Sequence, residues 1–290
     1  MRDSGRIQAR HCDLPASLSG VSDGLSFASP GADEEQAWAG LTAELDAWAA
    51  AGRTATLFWR DDDATRPGPA LDRLLEATAA AGAPLLLAVI PALAQNGLAE
   101  TVAAAAHVRP AQHGWAHVNH AKGSGDEGAW ELGLHRGEAA VIADLTRGRT
   151  RMASLFGERF LAVVAAPWNR IDARLFPALA AGGWRGISAW GPRAAGRPVP
   201  GLTVNNAHCD PIRWKGGARF AGAGKTLAEL IGHLAARRAG SVDAEEGTGL
   251  VTHHAVMDAA GWRLASRLGA AVTAHPAARW VDPADLFPDC

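Results

Sequence analysis

Short apolar runs alternate along the chain with stretches in which apolar residues recur at helical spacing. The runs predict strands at 54–59, 85–90, 108–112, 160–164, 185–189, 202–205 and 250–253. The amphipathic stretches predict helices at 33–51, 69–81, 98–106, 134–156, 173–181, 226–239 and 259–273. Alternating strands and helices predict parallel β/α units, and strands that are apolar throughout predict a sheet covered on both faces. The pattern therefore predicts an α/β fold, as either a barrel or a doubly wound sheet.

Chain length and the N-terminal segment bear on domain organisation. A chain of 290 residues is long enough to bury one large core, so we expect a single domain over residues 33–290. Residues 1–32 mix charged residues with Ser, Gly and Pro, which is typical of a disordered tail, and they contain no apolar core of signal-peptide length. No apolar stretch approaches the roughly 20 residues that span a bilayer. We therefore expect a cytoplasmic protein without a membrane span.

Charge and cysteine content exclude several classes of partner and site. The formal net charge of −2 offers no clustered basic face for nucleic acid or an anionic membrane, so we expect a neutral or small substrate. The three cysteines, Cys12, Cys209 and Cys290, are far apart in the chain. They predict neither a disulfide framework nor a thiolate zinc site, and they favour a reducing compartment. No feature of the sequence indicates the oligomeric state.

Polar clusters follow four of the predicted strands. They are Asp61-Asp62-Asp63, His113 to His120, Pro167 to Arg170, and His253-His254. In parallel β/α folds, reactive groups gather where the carboxyl ends of the strands meet their loops. We therefore expect all four clusters at one rim of the sheet.

The acidic triplet and the histidine pair together predict a metal site. An isolated Asp-rich turn more often caps a helix, and an isolated pair such as His113 and His117 is more often a coincidence than a ligand set. Adjacent carboxylates repel, however, so at least one of them needs a cation or a proton. Two histidines and one carboxylate form a set that holds a catalytic metal and leaves one position open for water. The combination predicts metal-dependent hydrolysis.

Four segments, taken in order, resemble the motifs of the polysaccharide deacetylases of the NodB-homology type, also called carbohydrate esterase family 4. The segments are Asp62-Asp63, His113-Gly-Trp-Ala-His117, Ala165-Ala166-Pro167-Trp168 and Leu250-Val-Thr-His253. The resemblance runs from about Thr54 to the C-terminus and is strongest in the first two motifs. It implies a distorted (β/α) barrel with a single catalytic domain.

The resemblance also implies roles for the motif residues. Asp62 corresponds to the general base, and Asp63 to a metal ligand beside His113 and His117. Because three Asp residues are consecutive, an alignment with Asp61 as the base and Asp62 as the ligand also remains open. The implied cofactor is a divalent metal ion, with zinc preferred and cobalt, nickel or manganese as alternatives. The leaving amine needs a general acid with a pKa near neutrality, for which we choose His253.

The chain departs from the family pattern at three motif positions. Gly114 replaces a Ser or Thr, Val118 replaces a Pro, and Ala165 replaces the Arg that steadies the base. Arg60 or Arg170 is expected to take over from that missing Arg. His254 would point to the opposite side of an extended strand from His253, which favours a role as a buried partner.

Further residues near the motifs are candidates for contacting the substrate or supporting the ligands. Trp115 and Trp168 lie inside the motifs, where an indole can stack on a sugar ring. His120, with Asn119, can orient a ligand through its distal nitrogen. The same group includes Arg60, Asp61, Pro167, Arg170, His208, Asp210 and His254, with Trp59, Trp190 and Trp214 as additional indoles. The remaining histidines, at positions 11, 107, 135, 233 and 275, are interpreted as surface or capping residues.

The sequence thus predicts a metal-dependent hydrolase that removes acetyl groups from N-acetylated or O-acetylated sugars or polysaccharide. Two alternatives are a metal-dependent amidohydrolase acting on a small non-sugar amide and a non-catalytic carbohydrate-binding relative. A nucleotide-binding protein is a third class, because Gly224-Lys225-Thr226 imitates the end of a phosphate loop. Arg219 stands where that loop requires Gly, which argues against it.

Overall fold

Strands and helices alternate along residues 30–121 and 128–288, the part of the chain that the computed structural model describes. The strands are β1 (Ala55–Ala64), β2 (Leu85–Val89), β3 (Val108–His113), β4 (Val163–Ala165), β5 (Gly186–Ser188), β6 (Thr203–Val204), β7 (Ala207–Cys209), β8 (Ile212–Arg213), β9 (Arg219–Phe220), β10 (Thr248–Thr252) and β11 (Ala278–Trp280). The helices are α1 (Pro30–Ala50), α2 (Pro69–Ala80), α3 (Asn96–Ala103), α4 (Glu138–Phe156), α5 (Phe176–Ala181), α6 (Ala223–Ala239), α7 (Ala259–Ala274) and α8 (Pro283–Leu286). These elements confirm the predicted α/β class.

One sheet holds nine of these strands, in the order β6-β5-β4-β3-β2-β1-β10-β7, with β11 paired to β1. Its strand pairs are parallel. The residues that follow β5 then meet β7, because the Ala207 N–H donates to the Ala189 carbonyl (3.0 Å) and the Gly191 N–H donates to the Ala207 carbonyl (2.8 Å). The sheet therefore closes on itself as a distorted (β/α) barrel, as predicted, rather than as an open doubly wound sheet.

Two of the three apolar clusters in the described residues hold helices α1 to α7 against the barrel, and the third packs α8 there. The larger cluster joins β1 and β2 with α1, α2, α6 and α7, and the smaller one joins β4 and β5 with α4 and α5. β2 is buried over its whole length, as expected for a parallel strand covered on both faces. Because the strands run parallel, their carboxyl ends meet at one end of the barrel, and the site lies there.

Several predicted boundaries shift for local reasons. The helix predicted at 134–156 is broken at Gly137, whose φ of 81° ends a short 3-10 turn, and α4 begins at Glu138. The first strand runs past 59 to Ala64, so the acidic triplet belongs to β1 instead of following it. Strands β7, β8, β9 and β11 were not predicted, whereas β4, β5 and β6, which are equally short, lie within or next to longer stretches predicted as strands.

The N-terminal and membrane predictions are tested only in part. The first helix begins at Pro30 rather than at residue 33, and the rest of the predicted tail, residues 1–29, lies outside the described residues. Within the described ranges, no helix is both long enough and apolar enough to cross a bilayer.

Candidate active site

A β-bulge near the end of β1 turns two neighbouring carboxylates to the same side. Asp61 pairs with Leu87 and Ala64 with Val89, so two residues of β1 stand opposite one residue of β2. Asp63 has a φ of 69°. Along a regular strand, Asp62 and Asp63 would face opposite sides of the sheet. The bulge instead brings both carboxylates to the wall of one cavity.

Asp63, His113 and His117 converge at this point. The Asp63 Oδ1 atom lies 3.3 Å from Nε2 of His113 and 3.4 Å from Nε2 of His117. His113 is the last residue of β3, and the chain returns to His117 through a tight turn. The structure therefore brings together the three residues that the sequence predicts as metal ligands.

The donor atoms of this group fit a divalent cation. His113 Nδ1 lies 3.0 Å from the Ala165 carbonyl, so Nδ1 carries the proton and the Nε2 lone pair faces Asp63. The Asp63 Oδ1 atom is buried and has no hydrogen-bond partner. Electron pairs that face one another without a proton between them need a positive charge, and two neutral imidazoles with one carboxylate are ligands of zinc and its neighbours.

The local electrostatics also attract positive charge. Burial lowers the pKa of His113, but the charges of Asp62 and Asp63 outweigh it, and the pKa lies above its usual value. Burial likewise raises the pKa of Asp63, but the contact with His113 and the charges of both ligand histidines bring it well below the usual range. Both shifts mean that positive charge is favourable among these side chains, whether a proton or a metal ion supplies it.

Asp62 is held by Arg60. The Nε atom of Arg60 donates to Oδ1 of Asp62 (2.9 Å) and Nη2 donates to Oδ2 (2.8 Å), which forms a bidentate pair. Arg60 is fully buried and reaches across the barrel to Ser188 Oγ (2.9 Å), with a further contact to Asn169 Oδ1. Burial raises the pKa of Asp62, but the Arg60 charge leads the effects that bring it below its usual value. Of the two arginines expected beside Asp62, it is Arg60 that contacts this carboxylate, while Arg170 lies over the Trp130 ring.

The Asp61 side chain points away from the cavity and contacts residues of β10 and the segment after it. Its carboxylate accepts hydrogen bonds from Thr252 Oγ1 (2.6 Å) and the His254 N–H (3.0 Å), and it also contacts His254 Nδ1. These contacts tie β1 to β10 and bury His254 as the partner of Asp61. The geometry therefore supports the frame in which Asp62 and Asp63 face the cavity.

His253 faces the cavity from the end of β10. Its Nε2 atom is 3.9 Å from Oδ2 of Asp62, and its ring meets Trp214 edge-on at 4.6 Å. Trp214 in turn donates from Nε1 to Asp210 Oδ2 (2.9 Å), and the Ile212 N–H donates to Oδ1 (2.7 Å). Burial raises the pKa of Asp210 above its usual value despite these hydrogen bonds.

The cavity has a volume of about 610 Å³. Trp168 has a φ of 51°, and its ring lies 4.2 Å from that of His117, so it packs directly on a candidate ligand. Trp190 and Trp214 are 43% and 48% exposed at the cavity wall, which is unusual for indoles. The lining residues are Asp62, Asp63, His113, His117, Ala129, Trp168, Asn169, Arg170, Trp190, Asp210, Ile212, Trp214, Lys225 and His253.

Besides Arg60, Asp61, His208 and His254, four more predicted positions do not line the cavity. Trp115 packs against the Arg147 guanidinium at 4.4 Å, so it does not offer its ring to a sugar. Trp59 is a buried core residue. His120 does not orient the first ligand histidine, since the Ala165 carbonyl holds that ring. Pro167 is buried beside the turn between the two candidate ligand histidines, next to Gly114.

His208 belongs to a separate buried cluster with His233 and Glu246, so the surface interpretation of His233 is wrong. The two rings are stacked, with centroids 3.3 Å apart and planes inclined by 12°. Ring lone pairs lie in the ring planes, so nearly parallel rings cannot both point at one ion. The Gly249 N–H also donates to Nδ1 of His208, which leaves the proton of the neutral ring on Nε2. Both features argue against a shared metal at this cluster.

The sequence reasoning missed three residues that support the site: Ser188, Asn169 and Glu131. Ser188 and Asn169 meet Arg60 from the ends of other strands, and no spacing in the sequence signals that contact. Glu131 lies in the segment before α4 and reaches the turn between the ligand histidines. Only the replacement of the usual Ser or Thr by Gly114 hinted that this turn is held differently.

Comparison with known proteins relates the chain to solved structures alone: no family model and no curated protein matches it. The Bc1960 peptidoglycan N-acetylglucosamine deacetylase is 12% identical, with a TM-score of 0.52, over 82% of this chain and 90% of that one. The catalytic domain of peptidoglycan N-acetylglucosamine deacetylase from Eubacterium rectale ATCC 33656 is 12% identical, with a TM-score of 0.51, over 81% and 91%. A Mycobacterium smegmatis protein assigned to the polysaccharide deacetylases is 20% identical, with a TM-score of 0.50, over 80% and 87%. The chain therefore has the fold of the polysaccharide deacetylases.

Proposed function

We propose that this protein is a metal-dependent hydrolase that removes acetyl groups from N-acetylated or O-acetylated sugars. One observation carries the proposal: a buried Asp63 oxygen faces the Nε2 atoms of His113 and His117 beside a carboxylate held by Arg60. The motif resemblance supports the same chemistry. Two of the structures with this fold are named as N-acetylglucosamine deacetylases, which supports an amide-linked acetyl group as the target.

Asp63, His113 and His117 are the residues that would hold the ion. Once bound there, a divalent ion supplies Lewis acidity to a water molecule and to the acyl carbonyl. We infer zinc as the preferred ion, because two imidazoles and one carboxylate with an open position match its catalytic sites, while cobalt, nickel and manganese accept similar donors.

Asp62 and His253 would move the protons. Asp62 is ionised at neutral pH because Arg60 stabilises its charge, so one of its oxygens can accept a proton from the attacking water. His253, on the neighbouring strand, can donate a proton from Nε2 to the leaving nitrogen or oxygen. The water oxygen bonds to the acyl carbon, the carbon–nitrogen or carbon–oxygen bond breaks, and the products are acetate and a free amine or hydroxyl.

The wall of the cavity favours a sugar over a small aliphatic amide. Trp190 and Trp214 expose indole rings at the cavity, and flat aromatic faces pack well against the apolar face of a pyranose. A small non-sugar amide would leave much of the 610 Å³ unfilled. The competing amidohydrolase function therefore has less support, although its chemistry at the ion would be the same.

The decisive experiment measures metal content and acetate release on the same preparations. Purified protein should contain a divalent metal by elemental analysis and release acetate from N-acetylglucosamine oligomers. His113→Ala combined with His117→Ala should lose both metal and activity. Asp62→Asn should keep the metal and lose activity, whereas Asp63→Asn should lose both.

Matched controls are His275→Ala and Asp72→Asn, which change residues away from the cavity and should behave as wild type. A fully active double histidine variant would refute the site. Turnover of simple acyl amides without turnover of acetylated sugars would favour the amidohydrolase alternative. Sugar binding without any turnover by the metal-loaded protein would favour a non-catalytic carbohydrate-binding protein.

A further inference from the structure

The turn between the two ligand histidines closes around one buried carboxylate. Glu131 Oε1 accepts hydrogen bonds from the backbone N–H groups of Trp115 (3.2 Å) and Ala116 (2.8 Å), and Oε2 accepts one from His117 (3.1 Å). Glu131 is 1% exposed. Three successive backbone donors therefore converge on a single side chain.

The backbone of this turn is shaped for an anion. Gly114 and His117 have φ values of 58° and 57°, and successive N–H groups in such a conformation form a concave nest that binds negative charge. A Cβ atom at Gly114 would collide with Glu131 Oε2 and with Pro167 Cγ. Gly114 and Glu131 thus depend on each other, and a Ser or Thr at position 114 would not fit beside the carboxylate.

Glu131 is itself held from both sides of its segment. The His120 N–H donates to the Trp130 carbonyl (2.7 Å), and the Asp172 N–H donates to the Leu132 carbonyl (3.0 Å). Leu132 is buried in the smaller apolar cluster. The carboxylate therefore has a fixed position relative to the barrel, and it can transmit that position to the turn.

We propose that Glu131 is a positioning residue that sets the backbone of His117 so that its imidazole meets Asp63 and His113 before an ion binds. The inference rests on the proposed function, since it requires the ion at those three residues. Glu131 does not line the cavity, and both of its oxygens already accept N–H groups, so it acts through His117 and not as a ligand.

Glu131→Gln tests this with the smallest change of shape. One amide oxygen can still accept the Trp115 and Ala116 donors, but the amide NH₂ then faces the His117 N–H, donor against donor. We expect the dissociation constant for Zn²⁺ to rise about 10- to 100-fold, as is typical for partners that orient a metal ligand. The visible spectrum of the Co²⁺-loaded protein should also change. Glu100→Gln, on the exposed side of α3, is the matched control.

A double-mutant cycle separates positioning from a general loss of stability. In a His117→Ala background, Glu131→Gln should not weaken residual Zn²⁺ binding further, because the ligand it positions is absent. An equal weakening in both backgrounds, or wild-type affinity and spectrum in Glu131→Gln, would overturn the inference while leaving the proposed function intact. A wild-type protein that binds no divalent ion would overturn both.

A second variant covers the case in which Glu131→Gln does not fold. Glu131→Asp keeps the charge but shortens the side chain, so its hydrogen bonds to the turn should weaken. We expect its dissociation constant for Zn²⁺ to rise, but by less than the roughly 10- to 100-fold expected when the turn is no longer held. The melting temperature of the metal-free proteins, measured in parallel, shows whether each variant is folded. Affinity equal to wild type in a folded Glu131→Asp would count against the positioning role.

Discussion

Each carboxylate of the acidic triplet has a different partner, and the partner sets its role. Asp61 faces His254 and Thr252, Asp62 faces Arg60, and Asp63 has only the two ligand histidines. Asp61 and Asp62 are stable side by side because each has its own positive or donor group. The Asp63 Oδ1 atom has no such partner among the described residues, which is why we propose that an ion binds there.

Arg60→Lys tests the support of the base. Lysine keeps the positive charge but cannot offer two parallel donors, so the Asp62 carboxylate would lose its fixed plane. We expect kcat to fall about 10- to 100-fold, the range for a small misplacement of a reacting group. Metal content should not change, because the three ligands are untouched. Steady-state kinetics and elemental analysis check this, with exposed Arg66→Lys as the control; unchanged kcat would rule out the role.

Spacing along the chain predicted that Asp63, His113 and His117 converge, because the acidic triplet and His113 end two strands and His117 follows His113 by four residues. The choice between Arg60 and Arg170 could not be made from sequence, since it depends on which guanidinium enters the barrel. Trp115 was predicted as a sugar contact because it lies inside a motif. The turn instead directs that ring to Arg147 on α4, which no local pattern reveals.

At the level of elements, α6 is joined to the barrel by polar contacts as well as apolar ones. His233 on α6 stacks on His208 of β7, and Glu246, just before β10, accepts the backbone N–H groups of Arg193 and Asn206. Burial lowers the pKa of His208 from 6.5 to about 4. The ring is therefore neutral in the folded protein at pH values where the unfolded chain would be protonated.

This difference predicts a loss of stability on acidification between about pH 6.5 and 4. In that window the unfolded state binds more protons than the folded state. The free energy of unfolding therefore decreases as the pH is lowered, by at most about 3 kcal/mol for a shift of this size. Glu246, with its pKa lowered to about 2, contributes only below its unfolded value of 4.5. Above that value Glu246 does not contribute, and a comparison with a His208 variant separates the effect of His208 from that of the other histidines.

His208→Asn isolates the effect, because its amide oxygen can still accept the Gly249 N–H. Urea unfolding at several pH values from 7 to 4 should give a shallower decline for the variant than for wild type. Parallel curves for the two proteins would show that His208 does not titrate as its burial implies.

Element prediction succeeded for the long segments and for β4, β5 and β6, and it missed the short strands β7, β8, β9 and β11. Helices of several turns show the helical spacing of apolar residues, and a fully buried strand such as β2 shows a continuous apolar run, so both can be recognised from local sequence. β7, with three residues, is a strand only because β10 and the chain after β5 pair with it. Both partners are far from β7 along the chain, so a short window of sequence around β7 does not include the residues that make it a strand.

For the whole molecule, the choice between a barrel and an open sheet was decided by two hydrogen bonds at Ala207. The alternation of strands and helices is equally compatible with both architectures. The motif resemblance, and not the periodicity, therefore pointed to the barrel. The candidate ligands come from β1 and from the end of β3, so an ion would link segments that are not adjacent in the sheet.

Metal binding should therefore stabilise the fold. An ion that binds only the folded state adds about 2.7 kcal/mol to the free energy of unfolding at a concentration 100 times its dissociation constant. Calorimetry should show a higher melting temperature with Zn²⁺ than with a chelator, and the double histidine variant should show no shift. Equal melting temperatures for loaded and chelated wild type would contradict coupling between the ion and the barrel.

The bulge in β1 has a consequence for how this site can be lost. It contains one residue more than the opposing strand, and Asp63 has the left-handed backbone. Deleting that residue would let Ala64 follow Asp62 in regular alternation, with its pairing to Val89 intact. Loss of a single codon would thus remove a proposed metal ligand and leave a barrel in which β1 is regular, with no other change of sequence required.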